Sequence, residues 1–184
     1  MNIKLKRIAL GQLIASAYGV LSVETRGILV GEIANKKSSL DYVIEAAHPV
    51  QSAWRTPSRV VSNAEEECRV KEILNGVGHY HSHLRVREKR NGSSIYSAGR
   101  VYLSITDKES IINNYVNAIE LVIAMNSTER VSSIRVTPHT IRGCFLDDKK
   151  IYRVEIGGYY LDESLRKRRA RVSARRKDLN YYFE

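Results

Sequence analysis

In Val77-Gly78-His79-Tyr80-His81-Ser82-His83, histidine recurs at every second position. Side chains two apart on a β-strand leave the sheet on one face, so this stretch predicts a strand that presents His81 and His83 together, within reach of one metal ion. His79 shares that face. Residues four apart on an extended strand stand roughly 13 Å from each other, too far for one ion that binds imidazole nitrogen at about 2 Å. His79 is therefore expected to be buried or to sit behind the pair. Two histidines make half of a hydrolytic zinc centre, which also needs a third protein ligand and an open position for water.

Working outward, Leu103-Ser104-Ile105-Thr106-Asp107 places a serine three positions ahead of an aspartate, on one side of the first turn of a helix predicted over 104–117. Taken alone, that spacing is also a helix-capping pair. Upstream, Ser22-Val23-Glu24-Thr25-Arg26-Gly27-Ile28-Leu29-Val30-Gly31 brings Glu24 to the start of a glycine-flanked apolar strand, with Glu32 just past Gly31 as a rival carboxylate. Glu-x-x-Gly, then His-x-His, then Ser-x-x-Asp, in that order, resembles the JAMM (MPN-plus) family of zinc metalloproteases. That family includes the deubiquitinases of the proteasome lid and archaeal relatives acting on ubiquitin-like modifiers. The resemblance covers roughly residues 5 to 130.

The resemblance implies a single-domain α/β layered fold of MPN type, with a curved mixed β-sheet between α-helices. It implies Zn2+ held by His81, His83 and Asp107, with Glu24 as the general base and Ser104 stabilising the oxyanion. The implied activity is that of an isopeptidase or peptidase removing or processing a ubiquitin-like modifier, with modifier conjugates as partners and a homodimer or a partner MPN subunit as the assembly. The same centre also suits another conjugate, such as a sulfur-carrier protein. Relatives in this fold that lack the metal motif serve as binding scaffolds.

Composition bounds these readings. The 184 residues suffice for one domain with a real core, and 43% hydrophobic with 27% charged residues is ordinary for a globular chain. The net charge of +10 is not ordinary. Much of it lies in residues 166–177, where the expected division is a catalytic domain over 1–160 and a basic extension over 161–184. That run is either a solvated tail or a contact surface for nucleic acid or an acidic partner. Cys68 and Cys144 lack the spacing of a disulfide framework or a metal knuckle and are expected to be buried thiols.

Residues 6–21 imitate a secretory leader, but Leu10, Leu13, Ile14, Ala17 and Leu21 follow a helical stripe, and Gln12 and Ser16 interrupt it. The segment reads as an amphipathic helix, too short and too interrupted to span a membrane, in a cytoplasmic protein.

Further along, Gly27–Ile33 and Leu40–Ala47 read as a hairpin, 48–62 as an irregular loop, and 62–74 as a helix stopped by Asn75-Gly76. Residues 84–103 form a longer connection between the histidines and the serine than the family pattern has. Asn91-Gly92 predicts a hairpin turn within it. This inserted basic hairpin at the rim of the site is read either as an extension of the substrate groove or as a lid, and its charge favours an acidic substrate segment or nucleic acid. His48 and His139 follow no ligand spacing and are expected to be structural.

Overall fold

The structure is a computed structural model that describes residues 1–36, 39–50, 52–56, 59–62, 64–84, 86–90, 93–97, 99–103 and 119–184. Strand β1 (Asn2–Leu5) leads into helix α1 (Arg7–Tyr18), and β2 (Arg26–Lys36) and β3 (Ser39–Pro49) follow as an antiparallel pair. A two-stranded ribbon of β4 (Ser52–Thr56) and β5 (Arg59–Ser62) occupies part of the stretch expected as irregular loop. Helix α2 (Ala64–Ile73) precedes the histidine strand β6 (Gly76–Leu84). Asn75, at φ 52°, takes the left-handed turn that ends the helix where the sequence predicts. Strands β7 (Val86–Arg90) and β8 (Ser93–Ser97) form the predicted hairpin. The remainder is β9 (Ile119–Thr128), β10 (Arg135–Val136), β11 (Thr140–Asp147), β12 (Lys150–Leu161), β13 (Lys167–Ala174) and helix α3 (Arg176–Tyr182).

Seven strands close into a mixed barrel in the order β12-β13-β1-β3-β2-β6-β9 and back to β12. Strand β1 is parallel to both of its neighbours and β6 is parallel to β9, while the other barrel pairs are antiparallel. Closure corrects the expected layered α/β MPN-type fold with a sheet lying between helices. Its physical basis is strand β12. Along one edge it pairs with β9 from Ile151 to Tyr160, and along the other it pairs first with β11 and then, from Gly158 onward, with β13. A strand used on both edges in this way joins the two ends of the sheet and leaves a barrel instead of a layer.

The second correction concerns the chain's basic C-terminal stretch. Lys167–Ala174 is a barrel strand between β12 and β1, so residues 161–184 are built into the domain and do not extend from it. The charges alternate with small apolar residues: Ala170 and Val172 are buried in the core while Arg169 and Arg171 are exposed. Leu179 and Phe183 from the α3 region join the same core. Strand β1 was likewise not foreseen, because only Ile3 and Leu5 mark it.

One core unites the inward residues of every barrel strand with the stripe of α1. Ala9, Leu10, Leu13, Ile14 and Ala17 pack with Leu29, Ile44, Tyr80, Leu121, Ile123, Val154, Ile156 and Val172. The stripe follows the i, i+3, i+4 spacing that the sequence displays. Cys144 is buried as expected, whereas Cys68 is exposed on α2. No helix among the described residues is long and apolar enough to cross a membrane.

Candidate metal centre

Alternation divides β6 between the two faces of the barrel wall. Tyr80 belongs to the interior core, which sends His79, His81 and His83 to the outer face. The parallel register with β9 sets His79 beside Glu120, His81 beside Val122 and His83 beside Ala124. The antiparallel register with β2 sets Arg26 beside His81. A hydrogen bond from the Ser82 amide to the Thr25 carbonyl at 2.8 Å carries that register one residue further, as far as the residue after Glu24.

The two histidines converge. Their Nε2 atoms are 3.1 Å apart, and each Nδ1 is already engaged. His81 Nδ1 lies 2.6 Å from Glu120 Oε1, and His83 Nδ1 lies 2.8 Å from the carbonyl oxygen of Arg100. A carbonyl only accepts, so His83 Nδ1 carries the hydrogen and turns its lone pair out at Nε2. A carboxylate imposes the same tautomer on His81. Two lone pairs thus face each other at 3.1 Å, and the contact is relieved by a proton on one ring or by a cation between them. Two nitrogens each about 2.05 Å from one tetrahedral ion stand about 3.3 Å apart. The donor set therefore fits a divalent metal with almost no movement.

Glu120 is the residue that sequence reading missed. It is 3% exposed, in the apolar run Ile119–Met125. Burial pushes its carboxyl upward, but the hydrogen bond from His81, with the nearby positive charge of Arg26, outweighs that, and its pKa ends below the usual glutamate range. The signal was present in the sequence: a lone carboxylate amid buried aliphatics needs a partner.

His79 is also buried, and burial lowers its pKa and favours the neutral ring. Its Nε2 stands 3.2 Å from Glu67 Oε1 on α2, off the line of a hydrogen bond, and Arg26 pairs with the same carboxylate oxygen at 3.1 Å. The polar layer behind the pair is thus closed by α2. Glu24 is 7% exposed, whereas its rival Glu32 is exposed, towards the other end of β2. His48 is half-buried on β3, and His139 Nδ1 bonds the Ala170 carbonyl at 3.1 Å.

Residues 99–103 cross the outer face as a strap that bends at Val101–Tyr102, where the Tyr102 amide donates back to the Arg100 carbonyl at 3.0 Å. Asn126 clamps Gly99 through both its amide and its carbonyl, at 2.8 and 3.0 Å. Tyr159 donates its hydroxyl to the Val101 carbonyl, and Lys167 Nζ reaches the Leu103 carbonyl at 3.2 Å. Val101 and Leu103 pack on Val122, Ala124, Tyr159 and Leu161. Gly157 makes room for this: a Cβ there would stand 3.1 Å from Val101 Cβ. The strap holds the Arg100 carbonyl where His83 needs it.

Ser104 and Asp107 lie outside the described residues. Among the described residues, no three metal-ligating side chains form a group. The sequence-named His81 and His83 share one face of β6, whereas Glu24 lies two residues before β2, outside any strand.

By fold, the chain is a closed seven-stranded mixed β-barrel with a histidine pair on its outer wall, His81 buried and His83 partly exposed. Among solved structures, it is similar to protein DSY2949 from Desulfitobacterium hafniense, solved in solution as a structural genomics target, at 13% identity and a TM-score of 0.54 over 94% of this chain and 92% of that one. No family model matches the chain, and no curated protein matches it either.

Proposed function

We propose that the chain is a zinc-dependent hydrolase of amide bonds, a peptidase or isopeptidase, and that its substrate is a conjugate of a ubiquitin-like modifier. The observation that carries the metal is the approach of the two Nε2 atoms to 3.1 Å with both Nδ1 atoms engaged elsewhere. Metal-ligating histidines characteristically donate their second nitrogen to a carboxylate or a backbone carbonyl, and here one histidine does each. The modifier as substrate rests on the order of the three sequence motifs.

His81 and His83 would hold the zinc, and Asp107 is the third ligand that the motif order names. Bound there, zinc supplies a Lewis acid that acidifies water and polarises a carbonyl oxygen. The chain's own groups do the rest. Glu120 keeps the His81 ring in its donor tautomer and holds its orientation. The strap does the same for His83 through the Arg100 carbonyl. Glu24, which the motif order names as the general base, takes a proton from the attacking water on its carboxylate oxygen and returns it to the leaving amine. Ser104 donates to the oxygen that gains charge.

The test is metal removal and return. The full chain is incubated with a ubiquitin-like protein extended at its C-terminus by an amide-linked reporter, first as purified, then after chelation, then with zinc restored. Cleavage that stops and returns supports the reading; cleavage indifferent to the chelator, or zinc that never binds even in excess, overturns it. Binding is also expected to weaken as pH falls, because imidazole ligates metal only when neutral.

Glu120→Gln offers a second check. The carboxamide keeps the volume and an acceptor but loses the charge. Zinc affinity measured against a competing chelator is expected to drop by about 10- to 100-fold. Unchanged affinity would mean that His81 needs no carboxylate behind it.

A further inference from the structure

Beyond the histidines, the outer wall opens into a cavity of about 560 Å³ over β9, β11, β12 and β13. Among the described residues, four arginines line it, Arg100, Arg142, Arg153 and Arg169, against one carboxylate, Glu155. Alternation brings them together: Arg153 and Glu155 leave the outer face of β12, and Arg142 sits opposite Glu155 in the register with β11. Glu155 answers Arg142 at 2.8 Å. Arg169 stacks over the Tyr159 ring at 5.8 Å. Among the described residues, no carboxylate pairs with Arg100, Arg153 or Arg169. Guanidinium groups gathered in one concavity repel each other and raise the local concentration of anions.

We propose that this cavity is a docking subsite for an acidic peptide segment of the substrate, whose Asp or Glu carboxylates the arginines take in forked pairs. The protein nature of the ligand rests on the peptidase reading above; the anionic chemistry does not. Planar guanidinium groups match carboxylates two bonds at a time, and Asn126, Ser127 and Thr128 add neutral hydrogen-bonding groups to the lining. Single-stranded nucleic acid is less well served: its sites combine a basic track with aromatic platforms for successive bases, and among the described residues Tyr102 is the one aromatic lining this cavity.

Arg100 belongs to both places. Its side chain lines the cavity while its carbonyl oxygen accepts from His83. An acidic segment held there tightens the strap that orients His83, so that binding energy gathered away from the scissile bond serves the reacting end.

The test is direct binding, read by fluorescence anisotropy on the full chain after chelation and again with zinc. The probes are a labelled peptide of alternating Asp and Glu and the same peptide with Asn and Gln. The acidic peptide is expected to bind at least about tenfold more tightly. Arg153→Glu and Arg169→Glu, both at exposed positions, are each expected to weaken it by about tenfold or more with zinc content unchanged. Equal binding of the two peptides, or variants that bind like the wild type, would overturn the proposal. So would displacement of the peptide by single-stranded DNA or inorganic phosphate at lower concentration than by unlabelled acidic peptide, which would make this a phosphate site. Because the measurement needs neither metal nor turnover, its failure leaves the hydrolase reading standing, and a chain that never binds zinc still tests the cavity.

Discussion

Zinc content is expected to fall from about one ion per chain to near none when His83 becomes alanine, and equally for His81→Ala. Each ring contributes one of two Nε2 donors whose separation already suits a tetrahedral ion. Removing either leaves one Nε2 donor where the pair had two. Elemental analysis of purified wild type and variants, with protein quantified independently, checks the loss. Thermal unfolding gives a second reading free of purification history. A ligand that binds only the folded chain stabilises it by about 2.7 kcal/mol at one hundred times its dissociation constant, so zinc should raise the melting temperature of the wild type and not that of either variant. His83 is the cleaner position, since the Arg100 carbonyl that it releases also accepts from the Tyr102 amide. His81→Ala also strands the buried Glu120, and part of its cost will be a general loss of stability. Variants that keep a full complement of zinc would remove the histidine pair from the metal site.

Glu24→Gln is expected to lower the rate of amide cleavage by about 10²- to 10⁴-fold, the usual contribution of a positioned general base, while zinc content stays at the wild-type level. The carboxamide fills the same space at a position that is 7% exposed and cannot accept a proton at neutral pH. Single-turnover rates and zinc content measured on one preparation separate the possible roles. Lost cleavage with retained zinc assigns Glu24 to proton transfer. Loss of both would make it a ligand. Unchanged cleavage would remove it from the chemistry.

What the sequence made legible follows from how local each signal is. The histidine strand, helix α1 and the 84–97 hairpin are written in neighbouring residues, through period-two alternation, a helical stripe and an Asn-Gly turn. The convergence of His81 and His83 was legible through their two-residue spacing on one strand. Closure of the barrel was not legible, because it depends on which distant strands share an edge. Its seam is made of two weak segments. Strand β1 has two apolar positions in four residues, and the inward alternation of Ala170 and Val172 is drowned by the arginines and lysine around them. Charge invited the reading of a tail, although outward-facing charges cost a barrel strand little. Glu120 was hidden for the opposite reason. Its strand is apolar on both faces, so periodicity could not say which neighbours a single carboxylate would meet, and only the parallel register with β6 brings it to His81.

The position of β1 at the seam also governs how this molecule comes into being. Asn2 pairs with Arg171 on one side and Asp41 on the other, so the two ends of the sheet are stitched by residues nearly the whole chain apart. Contacts of such sequence separation slow folding, since the entropy of closing a long loop is spent before any of them forms. During synthesis, β1, β3, β2, β6 and β9 can assemble as an open sheet, with β1 presenting an unpaired edge until β13 docks. The nascent protein must therefore wait for residue 174 to leave the ribosome before its last edge is covered. In that interval the exposed backbone is a template for a second nascent copy, and chaperone demand in the cell should track the lateness of this one strand.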